Sequence, residues 1–418
     1  MHFFRFKKNQ LYCEEQSVEA IAQKVATPFY LYSQKTIVEN FGRIDRAFSG
    51  LDHLICYALK ANSNEALLSL LAECGAGADV VSRGELFLAI KSGFDPKKIV
   101  YAGVGKRDDE IKFALEKNIL AFNVESTEEL GVINGIAGGL KKKAPVAIRI
   151  NPNIDIHGHP YISTGKSADK FGIELPVARA TIHDLGQYSN IQLIGLHCHL
   201  GSQITEIAPY LRAVKILRDL ADEVRLAGHT LLYVDIGGGL GVSYQNVFDD
   251  LEAVSDTPID LAQLVQRLRP DFQSLGCKVI FEPGRALVAE AGILVTRVLY
   301  QKVSQGKRFV IVDAAMNDLI RPSLYGAYHE IVPVLKRGGE WVHADVVGPI
   351  CESGDFLGRD RRLPELARGD LLAIMTAGAY GFVLSSNYNA RPRPAEILVD
   401  GSGYRLIRPA GQVDTLWT

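Results

Sequence analysis

The sequence predicts a (β/α)8 barrel combined with a second, mainly antiparallel β domain. Between His53 and Arg285, eight short β-rich segments alternate with longer segments of helical period. Eight repeats in about 230 residues match a closed barrel better than an open sheet, although periodicity alone does not exclude a doubly wound sheet. After Arg285 the helical segments largely disappear, and short β-type runs are separated by turns.

The elements follow in order along the chain. The predicted barrel strands are His53–Leu59, Ala78–Ser82, Ile99–Ala102, Ala121–Glu125, Val146–Asn151, Leu193–Leu200, Leu232–Ile236 and Lys278–Glu282. The clearest predicted helices are Ser63–Cys74, Ser82–Ser92, Asp108–Lys117, Pro209–Ala227 and Leu261–Leu268. The β domain is predicted from Gly292–Val303, Arg308–Asp313, Val342–Gly348, Asp370–Thr376 and Ala395–Val399, joined by the N-terminal segments Phe3–Phe6 and Phe29–Tyr32. We therefore expect a barrel over residues 36–284 and a β-rich domain from residues 1–35 and 285–418.

Composition excludes several classes of protein. The 418 residues are 47% hydrophobic and carry a net charge of −2, which argues against a general nucleic-acid or membrane-surface binder. The longest near-continuous apolar run, Leu371 to Leu384, is shorter than the roughly 18 residues of a membrane span, and the N-terminus has no secretory pattern. Six cysteines without a CxxC pair indicate reduced thiols. We expect a cytoplasmic protein without nucleic-acid or membrane partners.

Polar residues follow the predicted barrel strands, where catalytic groups of this fold collect. They are Lys60, Asp79 and Ser82, Asn151, His199 and Ser202, the glycines 237–239, and the segment 282–285 that runs from Glu282 to Arg285. A lysine, a histidine, a glycine-rich turn and a carboxylate suit a phosphorylated organic cofactor. Lys60 is either a rim lysine in a salt bridge or a Schiff-base lysine with a lowered pKa.

The other barrel residues also allow two interpretations each. The run DIGGGLG offers consecutive backbone N–H groups to an anion, but it lacks the third glycine of the dinucleotide-binding fingerprint. Glu282 is either a cap or ion-pair partner, or a carboxylate that keeps a pyridine nitrogen protonated. His199 is either a hydrogen-bonded core residue or an aromatic plate stacked on a cofactor ring.

Three later segments carry further reactive side chains. Cys351 lies in the run GPICESGD, where it is either a small buried hydrophobe or an accessible proton donor. The runs RPSLY, from Arg321 to Tyr325, and AGAYG, around Tyr380, combine an arginine and tyrosines with tight turns. Each suits recognition of a carboxylate or phosphate, or is simply surface or core.

These segments together resemble the alanine-racemase-like, fold type III decarboxylases that use pyridoxal phosphate, and within them the diaminopimelate decarboxylase family. The similarity runs from about Thr27 to Val399. It rests on the runs YALKANSN, GADVVSRGEL, HPYISTG followed by KFGI, GLHCHLGSQI, DIGGGLG, EPGR, DAAMNDLIRPSLY, GPICESGDFL and AGAYGFVLSSNYN.

The resemblance implies a role for each motif residue. Pyridoxal 5'-phosphate is expected on Lys60, with His199 against its ring, Glu282 at the pyridine nitrogen, and no metal ion. The remaining cofactor-binding residues are expected to be Asp79, Ser202, Gly238, Gly239, Gly284, Arg285 and Tyr380. The substrate-binding residues are expected to be Arg285, Arg321, Tyr325, Glu352 and Tyr380, with Cys351 as the proton donor. The family further implies a homodimer in which Cys351 and Glu352 reach the partner subunit's site.

The implied reaction is decarboxylation of meso-2,6-diaminopimelate to L-lysine and carbon dioxide, the last step of lysine biosynthesis. A decarboxylase for ornithine, lysine or arginine is the alternative, although such substrates give the Arg285 and Arg321 pair no distal carboxylate to bind. An alanine-racemase-type enzyme would need a neutral group where Glu282 stands. A non-catalytic cofactor-binding homologue would be expected to lack Cys351 or the two arginines, and all three are present.

Overall fold

The structure is a computed structural model that describes residues 2–156, 169–245, 247–248 and 258–415. The described residues form two compact units, one from 41–241 and 258–284, the other from 1–40, 242–257 and 285–418. The HPYISTG motif, at positions 159–165, lies outside the described residues. None of the helices in the described part of the chain has both the length and the apolar character needed to cross a membrane.

The first unit is a closed barrel of eight parallel strands. Each strand pairs with the next, and the eighth pairs with the first. In chain order the strands are His53–Ala58, Gly77–Val80, Ile99–Tyr101, Ala121–Val124, Ala144–Asn151, Ile191–Cys198, Tyr233–Asp235 and Lys278–Phe281. A short strand, Ile173–Glu174, extends the sheet beside the fifth barrel strand. The predicted barrel is confirmed.

The barrel strands are apolar along most of their length because helices cover one face and the barrel interior buries the other. One buried cluster takes a side chain from each of seven strands: Cys56, Val100, Ala121, Ala147, Ile194, Tyr233 and Ile280. Packing side chains from many strands fills a barrel instead of leaving a pore. The polar site residues therefore lie at or beyond the strand ends.

Helices alternate with the barrel strands. Their bounds are Gln34–Ala47 before the first strand, then Glu65–Glu73, Arg83–Lys91, Asp108–Lys117, Thr127–Gly139, Leu175–His183, Ala208–Leu226 and Leu261–Leu275. The second strand was predicted to reach Ser82, but it ends at Val80. Ser82 instead caps the following helix, because its hydroxyl accepts the backbone N–H of Glu85 at 3.2 Å.

The second unit contains a nine-stranded sheet and a small three-stranded sheet. The large sheet is formed by Phe29–Ser33, Gly292–Ser304, Lys307–Val312, Ile331–Pro333, Trp341–Val347, Phe356–Pro364, Leu371–Ile374, Ala395–Asp400 and Gly403–Arg408. The small sheet is formed by Phe4–Lys7, Gln10–Cys13 and Gln16–Ser17, and the unit's short helices are Val18–Ala22, Arg285–Val288 and Arg321–Tyr325. All but two of the strand pairings are antiparallel, which confirms the predicted β domain.

One segment differs from the expected division of the chain. Residues 242–257 were expected to belong to the barrel, but their described part groups with the β-rich unit. The segment carries Tyr244, whose backbone carbonyl accepts the N–H of Glu330 at 3.1 Å. Tyr244 therefore belongs with the arginines of the second unit.

Candidate active site

Lys60 lies just beyond the first barrel strand, in a short helical turn over Leu59–Ala61. Its Nζ donates to Asp79 Oδ2 at 2.6 Å. Lys60 is partly exposed, whereas Asp79 is fully buried in the second strand. Burial and the neighbouring Glu282 raise the pKa of Asp79, while Lys60 acts in the opposite direction. Lys60 thus forms the salt bridge of the first sequence interpretation. The same geometry places an amine next to a buried acid, so it also allows the second interpretation, a Schiff-base lysine.

Glu282 follows the eighth strand and is buried. One of its oxygens lies 3.2 Å from His197 Nε2, and the other accepts from Asn123 Nδ2 at 3.3 Å. Burial opposes ionisation of Glu282, but His197 and Lys60 outweigh it and hold the pKa of Glu282 below its usual range. The barrel therefore holds a buried carboxylate in its ionised form.

Asp235 is the second acid beside Glu282. Single ligand-type atoms of Asp235, His197 and Glu282 lie within 4.8 Å of one another. Burial and the charge of Glu282 raise the pKa of Asp235 well above its usual value, so Asp235 keeps its proton to a higher pH than Glu282 does. Asp235 Oδ1 also accepts the N–H of Gly237 at 2.9 Å, and so fixes the start of the glycine turn.

The glycine turn after the seventh strand can take no side chains. A Cβ on Gly238 would lie 2.0 Å from the carbonyl oxygen of Glu282, and one on Gly239 would lie 2.4 Å from that of Gly201. Gly239 also has φ +97°, which favours glycine. The turn is a backbone cradle, as an anionic group requires. Together with the amine of Lys60 and the ionised Glu282, this cradle fits pyridoxal phosphate.

His199 is attached to the same turn. Its Nδ1 accepts the N–H of Gly238 at 3.1 Å, so the ring carries no proton on that nitrogen. Burial lowers the pKa of His199 well below its usual value, and the positive Arg149 and Lys60 lower it further. A neutral imidazole in a fixed position suits the expected stacking of His199 on the cofactor ring. The structure places Ser202 three residues later, partly buried.

Gly284 and Arg285 continue the chain from Glu282. A Cβ on Gly284 would lie 3.0 Å from the Cβ of Ala61, so this position needs a small residue. Arg285 begins the short helix Arg285–Val288 and is buried. Its guanidinium donates a short hydrogen bond to the hydroxyl of Tyr244 and lies 4.9 Å from the ring centre of Tyr380. The second unit thus fixes Arg285 between two tyrosines.

Arg321 belongs to the same cluster of the second unit. Its guanidinium lies 4.7 Å from the ring centre of Tyr244, and its Nη1 lies 2.9 Å from Nε2 of His329. Burial opposes ionisation of Tyr244, but Arg285 and Arg321 outweigh it and lower the pKa of that phenol. The polar contacts described for Arg321 contain no carboxylate. Tyr325, at the end of the same short helix, is partly buried.

Cys351 and Glu352 lie in a loop of the second unit and are exposed. The backbone N–H of Cys351 donates to Asn389 Oδ1 at 3.3 Å, and Glu352 accepts a short hydrogen bond from the hydroxyl of Tyr388. Asp355 holds the loop, because its two oxygens accept backbone N–H groups of Met316 and Ile350, each at 2.7 Å. No hydrogen bond between described residues joins Cys351 or Glu352 to the arginine cluster.

Comparisons with known proteins identify relatives of the chain. The profile of the family described as "Pyridoxal-dependent decarboxylase, pyridoxal binding domain" matches residues 34–289. Diaminopimelate decarboxylase of Aquifex aeolicus is 47% identical over 99% of this chain and 96% of its own length. The chain belongs to the diaminopimelate decarboxylase family. The same enzyme from Vibrio cholerae is 44% identical over 100% of this chain and 98% of its own length.

A solved structure extends the comparison. The diaminopimelate decarboxylase of Helicobacter pylori, complexed with L-lysine, superposes with a TM-score of 0.89 and 44% identity, covering 96% of this chain and 98% of the other. The predicted diaminopimelate decarboxylase family, the enzyme class of carboxy-lyase and the pyridoxal phosphate cofactor are confirmed.

Sequence reasoning did not assign a role to four residues of these clusters: Glu85, His197, Tyr244 and His329. Two of them left a signal in the sequence. Ser82 and Glu85 have the spacing of a capping box, and Glu85 Oε2 accepts the N–H of Val81 at 2.8 Å. His197 and His199 are separated by one residue, as side chains on the same face of a strand are. Tyr244 and His329 left no such signal.

Proposed function

We propose that this chain decarboxylates meso-2,6-diaminopimelate to L-lysine and carbon dioxide, with pyridoxal 5'-phosphate as its cofactor. The observation that carries the substrate assignment is the pair of buried guanidiniums, Arg285 and Arg321, which both lie next to the ring of Tyr244. Burying cations is costly unless they bind an anion, and diaminopimelate has a second carboxylate to offer. Ornithine, lysine and arginine have no second carboxylate, so as substrates they would leave the two arginines without an anion to bind.

The barrel residues are assigned to the cofactor. Lys60 would bind it covalently through Nζ, Glu282 would keep its pyridine nitrogen protonated, and His199 would lie against its ring. The other cofactor-binding residues are Asp79, Ser202, Gly238, Gly239, Gly284, Arg285 and Tyr380. Bound pyridoxal phosphate supplies an electron sink for the pair of electrons left behind by carbon dioxide. The ionised state of Glu282 supports this assignment, because only an anion favours the protonated ring nitrogen.

The remaining residues are assigned to the substrate. Arg285, Arg321, Tyr325 and Tyr380 would bind and orient the distal carboxylate, and Glu352 would accept from the distal ammonium. Cys351 would donate its thiol proton to Cα, so that one proton replaces the departing carboxylate. The exposure of Cys351 and Glu352 in their own chain supports a homodimer in which this loop completes the partner subunit's site. We further propose a cytoplasmic location, consistent with the reduced thiols that the cysteine pattern indicates.

The reaction is tested on the purified holoenzyme. Absorption spectra are recorded before and after addition of meso-diaminopimelate, with trapping of carbon dioxide and chromatographic detection of L-lysine. The proposal expects a spectral change of the bound cofactor and equal amounts of carbon dioxide and L-lysine. Turnover of ornithine or arginine in preference to diaminopimelate would contradict the substrate assignment. Bound cofactor without carbon dioxide release would indicate a non-catalytic homologue.

A further inference from the structure

His329 has a fully buried imidazole in which both nitrogens are engaged. Nδ1 lies 2.8 Å from the carbonyl oxygen of Met375, and Nε2 lies 2.9 Å from Nη1 of Arg321. The ring of Tyr244 packs edge-on against the imidazole, with 5.0 Å between the ring centres. A carbonyl, a guanidinium and a phenol ring therefore contact the buried imidazole of His329.

The partners of His329 fix its protonation state. A carbonyl oxygen only accepts, so Nδ1 must carry a proton and donate it to Met375. A guanidinium only donates, so Nε2 must be unprotonated and accept from Arg321. A second proton on the ring would remove this acceptor and place a cation against Arg321. Burial and the charge of Arg321 lower the pKa of His329 well below its usual value, in agreement with the neutral form.

A neutral acceptor has a different effect on Arg321 from that of a carboxylate. It satisfies one N–H and fixes the plane of the guanidinium, but it leaves the positive charge uncompensated. An aspartate or glutamate in the same place would neutralise the arginine and compete with any bound anion. The ring of Tyr244, 4.7 Å from the guanidinium, holds it from another side without supplying a full negative charge.

We propose that His329 is a positioning residue that determines substrate specificity, by holding Arg321 oriented and uncompensated for the distal carboxylate of the substrate. The inference rests on the proposed function, in which Arg321 binds that carboxylate. A positioning role of His329 and a purely structural role predict different effects on ligand binding. Replacement of His329 should weaken binding of a ligand that carries the distal carboxylate and leave binding of a ligand without that carboxylate nearly unchanged.

Two polar substitutions separate the two hydrogen bonds of His329. In His329→Asn, the amide nitrogen can take the place of Nδ1 and donate to Met375, but no atom reaches the place of Nε2. In His329→Gln, the longer side chain can present its oxygen to Arg321. The two variants bury similar amide groups, so the difference between them reports the bond to Arg321. His329→Leu, which makes neither bond, serves as a third variant.

The measurements are KM and kcat for meso-diaminopimelate and the inhibition constant for 1,5-diaminopentane, which has both amino groups but no distal carboxylate; the product L-lysine keeps that carboxylate. They are made on the holoenzyme, together with its thermal midpoint. For His329→Asn we expect KM to rise about ten- to hundredfold, the size of a lost hydrogen bond to a charged group. The inhibition constant for 1,5-diaminopentane should change less than about twofold. His329→Gln should recover most of the lost affinity for diaminopimelate.

Two results would overturn the inference. One is a KM in His329→Asn within about twofold of the wild-type value. The other is an equal weakening of diaminopimelate and 1,5-diaminopentane, which would assign His329 to the stability of the fold. If His329→Asn does not fold, the comparison of His329→Gln with His329→Leu decides in the same way, because only the glutamine offers an acceptor to Arg321.

Arg321→Lys separates this inference from the proposed function. A lysine keeps the charge but loses the planar fork that binds a carboxylate at two points. If Arg321→Lys weakens binding of diaminopimelate much more than that of 1,5-diaminopentane while His329→Asn does not, only the role of His329 is wrong. If Arg321→Lys affects both ligands equally, Arg321 does not bind the distal carboxylate and the proposed substrate assignment fails with it.

Discussion

His197 and Glu282 form a buried pair, with 3.2 Å between Nε2 and Oε2. They are 85 positions apart in the sequence, on the sixth barrel strand and just beyond the eighth. Because the pKa of Glu282 lies below its usual range, the carboxylate is ionised and Nε2 must donate. A negative charge inside the barrel therefore depends on a histidine to which the sequence analysis assigned no role.

We expect His197→Leu to weaken retention of pyridoxal phosphate. Without the donor, burial raises the pKa of Glu282 and the protonated acid no longer favours a protonated ring nitrogen. A hydrogen bond to a charged group contributes about 1.5–3 kcal/mol, so cofactor affinity should fall about ten- to hundredfold. Equilibrium titration with pyridoxal phosphate, followed by absorbance, measures this loss.

His53 supplies a matched control for that substitution. Its Nε2 also lies 3.2 Å from a carboxylate oxygen, that of Asp45, but the Asp45 side chain is 55% exposed. His53→Leu should leave cofactor affinity unchanged, because an exposed pair contributes little. Equal affinity in His197→Leu and the wild type would show that the ionised state of Glu282 does not need His197.

Lys60 should be the residue that binds the cofactor covalently. The purified protein should be yellow, and Lys60→Ala should lose that colour together with decarboxylase activity. Reduction with borohydride followed by peptide mapping should place the modified lysine at position 60. Lys91, which pairs with Glu65 at 2.7 Å, is a suitable control, since Lys91→Ala should keep the colour. A modification on any other lysine would show the assignment to be wrong.

The barrel could be predicted because its signals are local. Each strand is a short apolar run and each helix has its own period, so eight repeats identify the fold without any knowledge of contacts. The helices Thr127–Gly139 and Leu175–His183 were missed. The first contains four glycines, at positions 131, 135, 138 and 139, and their low helix propensity weakens the helical pattern.

The predicted site residues lie in recognisable motifs, whereas the supporting residues Tyr244 and His329 do not. Tyr244 stands 41 positions before Arg285, and their hydrogen bond cannot be inferred from spacing. His329 is only eight positions from Arg321, but neither the periodicity nor a motif connects them. Contacts that depend on the path of the chain in space appear only once the fold is known.

Glu85 predicts a pH-dependent contribution to stability. Burial raises its pKa from the ordinary 4.5 to about 7. The folded state therefore binds this proton more tightly, and the stabilising contribution is complete below about pH 4.5 and is lost as the pH rises to about 7. Glu85→Gln does not titrate, so its thermal midpoint should rise relative to the wild type by several degrees across this window, corresponding to at most about 3 kcal/mol.

Glu110 is a suitable control because its pKa is shifted in the opposite direction from that of Glu85. Burial opposes its ionisation, but the backbone N–H groups of Arg107 and Arg83 outweigh it and lower the pKa of Glu110. Its stabilising contribution is present above about pH 4.5 and is lost as the pH falls below it. Between about pH 5.5 and pH 8, the difference in thermal midpoint between Glu110→Gln and the wild type should therefore stay constant. A constant difference for Glu85→Gln as well would contradict the raised pKa of Glu85.

The last prediction concerns the subunits. Cys351 is exposed in its own chain, yet a proton donor to Cα must lie against the substrate. If this loop completes the site of a second copy, Lys60→Ala and Cys351→Ala should complement each other. Random exchange makes about half of the dimers mixed, and each mixed dimer has one site with both defects and one with neither. Mixing the two variants equally should restore roughly a quarter of wild-type activity. If a tag pull-down confirms exchange and activity does not rise, each site is built from one chain.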